Sequence, residues 1–165
     1  MCSSDLKNNS FTGCFLVPYD IRPSVLNIDI SDNYLHGPIP TNLGLIFPNL
    51  ESLKMSRNEF EGNIPSFGNL VFLLILDLSE NHFSGTIPMH FIMGCYNLEL
   101  VILSNNSFSG QIFPANSNWT NLRYLQLDNN HFSGTLPTWI GNVTYIEDIV
   151  MAKILAITIS CNNNG

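Results

Sequence analysis

The chain has 165 residues, 45% hydrophobic and 12% charged, with 13 acidic residues against six basic ones and a formal net charge of -7. That length suits one domain, and that apolar content excludes a disordered segment. Lys7, Arg22, Lys54, Arg57, Arg123 and Lys153 are scattered, so the clustered positive charge that displaces counterions from phosphates is missing and nucleic acid is not an expected partner.

Taken from the start, Met1 is followed by Cys-Ser-Ser-Asp, with neither the basic start nor the apolar core of a secretory leader. A beheaded copy of a repeating pattern then opens with Leu6, Asn9, Phe11 and Gly13. The next copy runs Val25, Ile28, Ile30, Asn33, Leu35, Gly37, Ile39, Pro40. It recurs as Leu50, Leu53, Met55, Asn58, Phe60, Gly62, Ile64, Pro65, and again as Leu73, Leu76, Leu78, Asn81, Phe83, Gly85, Ile87, Pro88. The copy from Leu98 has Val101, Leu103, Asn106, Phe108, Gly110 and Ile112, with its proline delayed to Pro114. The sixth is Leu122, Leu125, Leu127, Asn130, Phe132, Gly134, Leu136, Pro137. Ile146, Ile149 and Met151 begin a seventh, but Ile154 stands where its asparagine is due. The apolar stretch from Ile149 to Ile159 is broken by Lys153 and is about half the ~20 residues of a membrane span.

The asparagines at 9, 33, 58, 81, 106 and 130 set steps of 24, 25, 23, 25 and 24 residues. A fixed period of this size predicts a stack of short structural units. Within each unit the alternating apolar residues point to one face of a short strand, so strands of successive units can pair into a parallel sheet. The asparagine ends the strand, and its amide both donates and accepts. A stack of Asn9, Asn33, Asn58, Asn81, Asn106 and Asn130 is therefore predicted to satisfy buried backbone groups of neighbouring turns. The Leu or Phe two residues on fills the interior, glycine permits the bend, and proline suits an extended segment or the beginning of a short helix. One unit cannot bury its own apolar face; stacking does so. The reading is an α/β solenoid of about six to seven repeats over residues 1–152, with a degenerate or foreign tail at 153–165. Neither end carries a polar cap, which predicts exposed core and sheet edge.

The periodicity also accounts for residues that look chemical. His82 and His131 hold one slot in repeats two apart. At ~4.8 Å per strand they would stand ~10 Å apart, too far to share a metal. Asp29 and Asp77 are periodic strand residues, and no nucleophile elbow, phosphate loop or kinase motif occurs. No catalytic residue, metal or cofactor is expected. Cys2, Cys14, Cys95 and Cys161 form no CxxC pair, and their three possible pairings stay open. Asn8, Asn105, Asn118 and Asn142 each begin an Asn-x-Ser/Thr sequon for sugar attachment. Binding is expected on the outward residues of the sheet. Most repeats use Asp then Ser at the middle outward slots. Lys54, Arg57, Ile102, Tyr124 and Gln126 break that habit and, with Asp77, are the candidate ligand-binding residues.

The tail of the unit, as in Ser84-Gly85-Thr86-Ile87-Pro88 and Ser133-Gly134-Thr135-Leu136-Pro137, resembles the plant-specific class of leucine-rich repeat over about residues 3–152. The run from Asn69 to Thr138 looks most like the ectodomains of plant receptor-like proteins. That resemblance implies a right-handed superhelix, a horseshoe arc with a parallel sheet on its concave face. It implies a fragment of a cell-surface receptor whose extracellular solenoid binds a peptide or protein ligand, with a co-receptor kinase, in signalling or defence. The parent would lie in the plasma membrane, while this chain lacks a leader and a span. Secreted inhibitors of cell-wall polygalacturonases share the repeat and form the alternative reading, beside a truncated receptor product without function.

Overall fold

The computed structural model describes residues 2–67, 70–112, 119–136, 146–153 and 156–159. Its elements are strands, with two short helices among them. The first strand of each turn builds one parallel sheet: β1 (Cys2–Asp5), β3 (Val25–Asp29), β5 (Ser52–Lys54), β7 (Ile75–Asp77), β9 (Leu100–Ile102), β11 (Tyr124–Gln126) and β13 (Asp148–Val150), in that order. The inward row is in strict register, with Ile28 beside Leu53, then Leu76, Val101, Leu125 and Ile149. Leu53, Leu76 and Val101 are fully buried. From β3 onward the alternating pattern thus puts the inward side chains of the strands into one continuous core, as a repeat that cannot close its own core requires.

A second seven-stranded parallel sheet follows the ladder, an element absent from the sequence reading. It is formed by β2 (Thr12–Cys14), β4 (Tyr34–Gly37), β6 (Glu59–Gly62), β8 (His82–Gly85), β10 (Ser107–Gln111), β12 (His131–Leu136) and β14 (Ala156–Ile159). These strands hold the Leu/Phe-x-Gly part of the unit. Their buried aromatic rings stack: Phe60 on Phe83 at 6.1 Å, Phe83 on Phe108 at 6.0 Å and Phe108 on Phe132 at 5.9 Å between centroids. Such pairs stabilise by roughly 0.5–1.5 kcal/mol beyond area burial. Phe11 holds the same slot in the first turn and is 46% exposed. A glycine at positive φ lies in each of these strands from β2 to β12, and Gly37, Gly62 and Gly85 end theirs. At Gly110 (φ +74) a Cβ would also stand 2.7 Å from Thr86 Cγ2, so both backbone and space exclude a side chain.

The helices depend on the length of the unit. Both 25-residue steps contain one, α1 (Leu43–Ile46) and α2 (Met89–Gly94), the latter with Pro88 at its N-cap. The 23-residue step from Asn58 to Asn81 shows none among its described residues. On this side Phe91 lies edge-on between Phe67 and Trp119, and Trp119 Nε1 donates to Ile92 O at 3.1 Å. A shorter line of asparagines sits beside it. Asn49 donates to Pro23 O at 3.0 Å and Asn97 to Val71 O at 2.8 Å, with the exposed Phe72 in the slot between them.

The main ladder joins the two sheets. Asn81 Nδ2 donates to the carbonyls of Leu78 and Ser79 in its own turn (3.2 and 3.0 Å) and of Met55 in the previous turn (3.0 Å). Its Oδ1 accepts from Phe60 N, also in the previous turn, at 3.0 Å. Asn33, Asn58, Asn106 and Asn130 repeat this four-bond set. Just before each asparagine the backbone turns left-handed, at Asn8, Asp32, Arg57, Glu80, Asn105, Asn129 and again at Lys153. After Lys153 the position due for asparagine is Ile154, outside the described residues; beyond it β14 pairs with β12. Isoleucine offers neither a donor nor an acceptor to the turn before it. Replacing Asn81 by Ala strands the buried Phe60 N–H, whereas the three carbonyls each keep a second donor: Asn106 Nδ2 for Leu78 O, Asn58 Nδ2 for Met55 O and Arg57 N for Ser79 O. At about 1–3 kcal/mol for a buried group left unpaired, Asn81→Ala should lower unfolding stability by about 1–3 kcal/mol in urea denaturation. The single-bond Asn49→Ala should cost under ~1 kcal/mol; equal losses would contradict the ladder's role.

Candidate protein-binding face

Because the first sheet pairs in register, equivalent outward side chains line up across turns. One row runs Asp29, Lys54, Asp77, Ile102, Gln126, Val150, and the row before it Asn27, Ser52, Ile75, Leu100, Tyr124, Asp148. The apolar members Ile75, Leu100, Ile102, Tyr124 and Val150 gather towards the later strands, and each is half-buried. Two adjoining depressions open on this face. The larger, about 530 Å³, is walled by Arg57, Asp77, Glu80, Ile102, Asn105 and Gln126 among others. The smaller, about 200 Å³, lies over Lys54, Ile75, Leu100, Asp77 and Ile102, the last two shared with the larger.

The structure therefore brings Lys54, Arg57, Asp77, Ile102 and Gln126 around one pair of depressions and leaves Tyr124 beside them. Their states differ. Lys54 has no ion-pair partner among the described residues. Arg57 lies not in the strand but in the left-handed turn after it (φ 54). Its Nε donates to Glu80 Oε1 at 3.0 Å and its Nη1 to Asp32 Oδ1 at 3.2 Å. Hydrogen bonding and charge from Glu80 and then Asp32 raise its pKa above the usual arginine value. The three residues hold one slot in successive turns, so the ion pairs run along the stack, and a ligand carboxylate would have to compete for Arg57. Asp77 has a local duty too: its Oδ1 accepts from Ser79 N at 3.0 Å and Ser79 Oγ at 2.6 Å, which ends the strand.

Tyr124 belongs to a cluster centred on Glu147, just before β13. The Tyr124 hydroxyl donates to Glu147 Oε2, and Arg123 donates to Glu147 Oε1 from Nε at 2.9 Å and from Nη2. The hydrogen bond from Tyr124, then that from Arg123, holds the Glu147 carboxyl below the usual carboxylate range, and the bond to Glu147 raises both Tyr124 and Arg123. Sequence reading missed Glu147, Asp148 and Val150 as members of this face. The alternation that buries Ile149 and Met151 points the residues between them outward, so the signal for Asp148 and Val150 was present.

The other candidate positions fall elsewhere. Asn8 and Asn105 are exposed in the left-handed turns (φ 56 for each), a conformation that asparagine tolerates better than most residues. Asn118 and Asn142 lie outside the described residues, as does Cys161. His36, His82 and His131 are exposed on the second sheet. Cys95 is buried, its Sγ 3.5 Å from Phe67 O, and burial pushes its pKa up to about 12; Cys14 is exposed, and both are free thiols. A thiol so far from ionisation is a packing group rather than a nucleophile.

Comparison with known proteins agrees with this geometry. The leucine-rich-repeat family model matches residues 49–70, 72–92, 97–119 and 121–143, together more than half of the chain. The chain belongs to the leucine-rich-repeat family. It is 41% identical to receptor-like protein 9a of Arabidopsis thaliana over 61 residues, which are 37% of this chain and 6% of that protein. It is likewise 41% identical to receptor-like protein 15 of the same plant over 66 residues, 39% of this chain and 7% of that one. The chain thus spans a small fraction of the length of these relatives. Among solved structures it is similar to the Arabidopsis receptor kinase HAESA in complex with the peptide hormone IDA and the co-receptor SERK1. That match has a TM-score of 0.79 and 35% identity, and covers 90% of this chain and 25% of HAESA's. A TDR receptor matches with a TM-score of 0.81 and 30% identity, covering 93% of this chain and 26% of that one.

The Glu147 cluster gives a pH signature. Since the folded carboxyl titrates below its unfolded value, its contribution is complete above the ordinary carboxylate range and is lost as pH falls through the lowered value. In an NMR titration the Glu147 carboxyl should show a midpoint below the usual carboxylate range, and Tyr124→Phe should move it upward. An unchanged midpoint in the variant would contradict the dominance of the tyrosine hydrogen bond.

Proposed function

We propose that the chain is part of a receptor ectodomain at the plant plasma membrane, and that the outward face of its first sheet binds a peptide or protein ligand without chemical change. The observation that carries this is the pair of depressions over Lys54, Asp77, Ile102 and Gln126, with an apolar strip beside a polar, charged one. That mixture suits an extended peptide, whose apolar side chains need desolvated contacts and whose backbone and charged groups need polar partners. Solved relatives support the reading: HAESA with the hormone IDA and co-receptor SERK1, and the receptor RGFR1 with RGF2, the latter 29% identical with a TM-score of 0.76. A co-receptor kinase of the same repeat class is the natural second partner. No helix among the described residues is long and apolar enough to cross a membrane.

The side chains that decide affinity are Ile102, which lines both depressions, and the uncommitted Lys54. The test is selection of a random peptide library displayed on phage against the secreted chain. Selected peptides should lose at least ~10-fold in affinity to Ile102→Arg, about the 1.4 kcal/mol that corresponds to tenfold. They should bind Leu45→Arg, on helix α1 and 60% exposed, as they bind the parent. Peptides indifferent to Ile102→Arg, in a variant with unchanged thermal unfolding, would place binding elsewhere.

A further inference from the structure

Asn105 is where two separate features meet. Asn105-Asn106-Ser107 is a sequon for N-linked sugar attachment. The same Asn105 also forms part of the wall of the larger depression, beside Glu80, Ile102, Ser104 and Gln126. Asn8 has the equivalent slot and its own sequon, but is not among the residues that line that depression.

The local bonding favours modification of Asn105. Its side chain is exposed, and its Oδ1 accepts from Asn129 Nδ2 at 2.8 Å. Its own Nδ2 donates to no partner among the described residues. Attachment of a sugar replaces one hydrogen on Nδ2 and leaves Oδ1 alone, so the bond to Asn129 survives. Asn129 is the converse case. Its Nδ2 donates to both Asn105 and Asp128, and two residues on stands His131 rather than a hydroxyl. Ser107 is exposed at the beginning of β10, so the sequon can be removed there without touching the turn.

We propose that Asn105 carries an N-linked glycan, which walls the larger depression on its turn side and restricts what enters it. The donor is a lipid-linked diphospho-oligosaccharide of the secretory pathway. Asn105 Nδ2 bonds to the anomeric carbon, the bond from that carbon to the diphosphate oxygen breaks, the amide gives up one proton, and the lipid diphosphate leaves. A bulky, hydrated group then stands over Ile102 and Gln126. Ligands reach these residues from the side of the smaller depression, over Lys54, Ile75 and Leu100. This consequence for ligands rests on the binding function proposed above; the modification and the walling do not.

The experiment secretes the chain from plant cells behind a leader peptide and maps glycopeptides by mass spectrometry. Asn105 is expected to be occupied, bare in Ser107→Ala and occupied again in Ser107→Thr. A bare Asn105 in the parent chain overturns the site. The wall is tested without any ligand, by labelling Gln126→Cys with a bulky maleimide and His82→Cys, on the second sheet, as control. Trimming the glycan with an endoglycosidase on the folded protein should raise labelling at 126 severalfold and leave 82 unchanged. Equal labelling at 126 before and after trimming overturns the wall. Either failure leaves the peptide selection, which tests binding itself, free to succeed.

Discussion

From Asn33 to Asn130, each turn of this protein is tied to the one before it by an asparagine amide. After each first-sheet strand from β3 to β11 an asparagine side chain reaches back to a carbonyl and an N–H of the preceding turn, while also closing carbonyls of its own, as at Asn81; Asn9, in the first turn, closes only its own. Buried backbone groups at a sharp turn are costly when unpaired, and no apolar residue can pair them. The asparagine amide carries two donor protons and a separate acceptor oxygen on one short side chain. The two sheets, the stacked phenylalanines and the left-handed turns all meet at that residue. The strictness of the asparagine spacing, against the looser identity of the apolar positions, follows from this difference: packing tolerates exchange of Leu, Ile, Met and Val, whereas the bonding geometry does not.

The same physics explains how much was legible in the sequence. The inward row of strand residues, the ladder and the outward candidates could all be read from a period of about 24 residues combined with an alternation of two. The second sheet could not. Its segments, such as His82-Phe83-Ser84-Gly85, have only one strongly apolar residue each and carry glycine, which weakens strand propensity. They are extended because the turns on either side impose it. The location of Arg57 was also beyond pattern reading. Counting outward slots puts it on the strand face, but the chain has already turned left-handed there, and its guanidinium is committed to Asp32 and Glu80. That commitment follows from three residues sharing one slot in adjacent turns, which a one-dimensional pattern shows only after the stack is assumed. The seventh strand shows the reverse: Ile149 and Met151 kept the alternation even though the asparagine due after them was absent.

A clear division of labour results. Inward residues and the ladder answer to the stack, and their substitution is a matter of stability. Outward residues of the first sheet answer to nothing in the fold, apart from local duties such as that of Asp77 towards Ser79. They are free to differ from turn to turn, and they do, from Asp29 and Lys54 to Ile102 and Val150. A rigid, register-locked surface with independently variable side chains is what a binding module needs, because specificity can change without disturbing the scaffold. The matched stretch is a small fraction of the length of the receptor-like relatives.

The central claim is that ligands contact the outward rows of the first sheet. Hydroxyl-radical footprinting of the chain with and without a peptide selected from a random library reads this directly, side chain by side chain. The account predicts that Ile75, Leu100 and Ile102 become protected, while Met93, exposed on helix α2, and Tyr96, exposed just after it, oxidise equally in both states. Protection of Met93 and Tyr96, with Ile75, Leu100 and Ile102 unchanged, would contradict it.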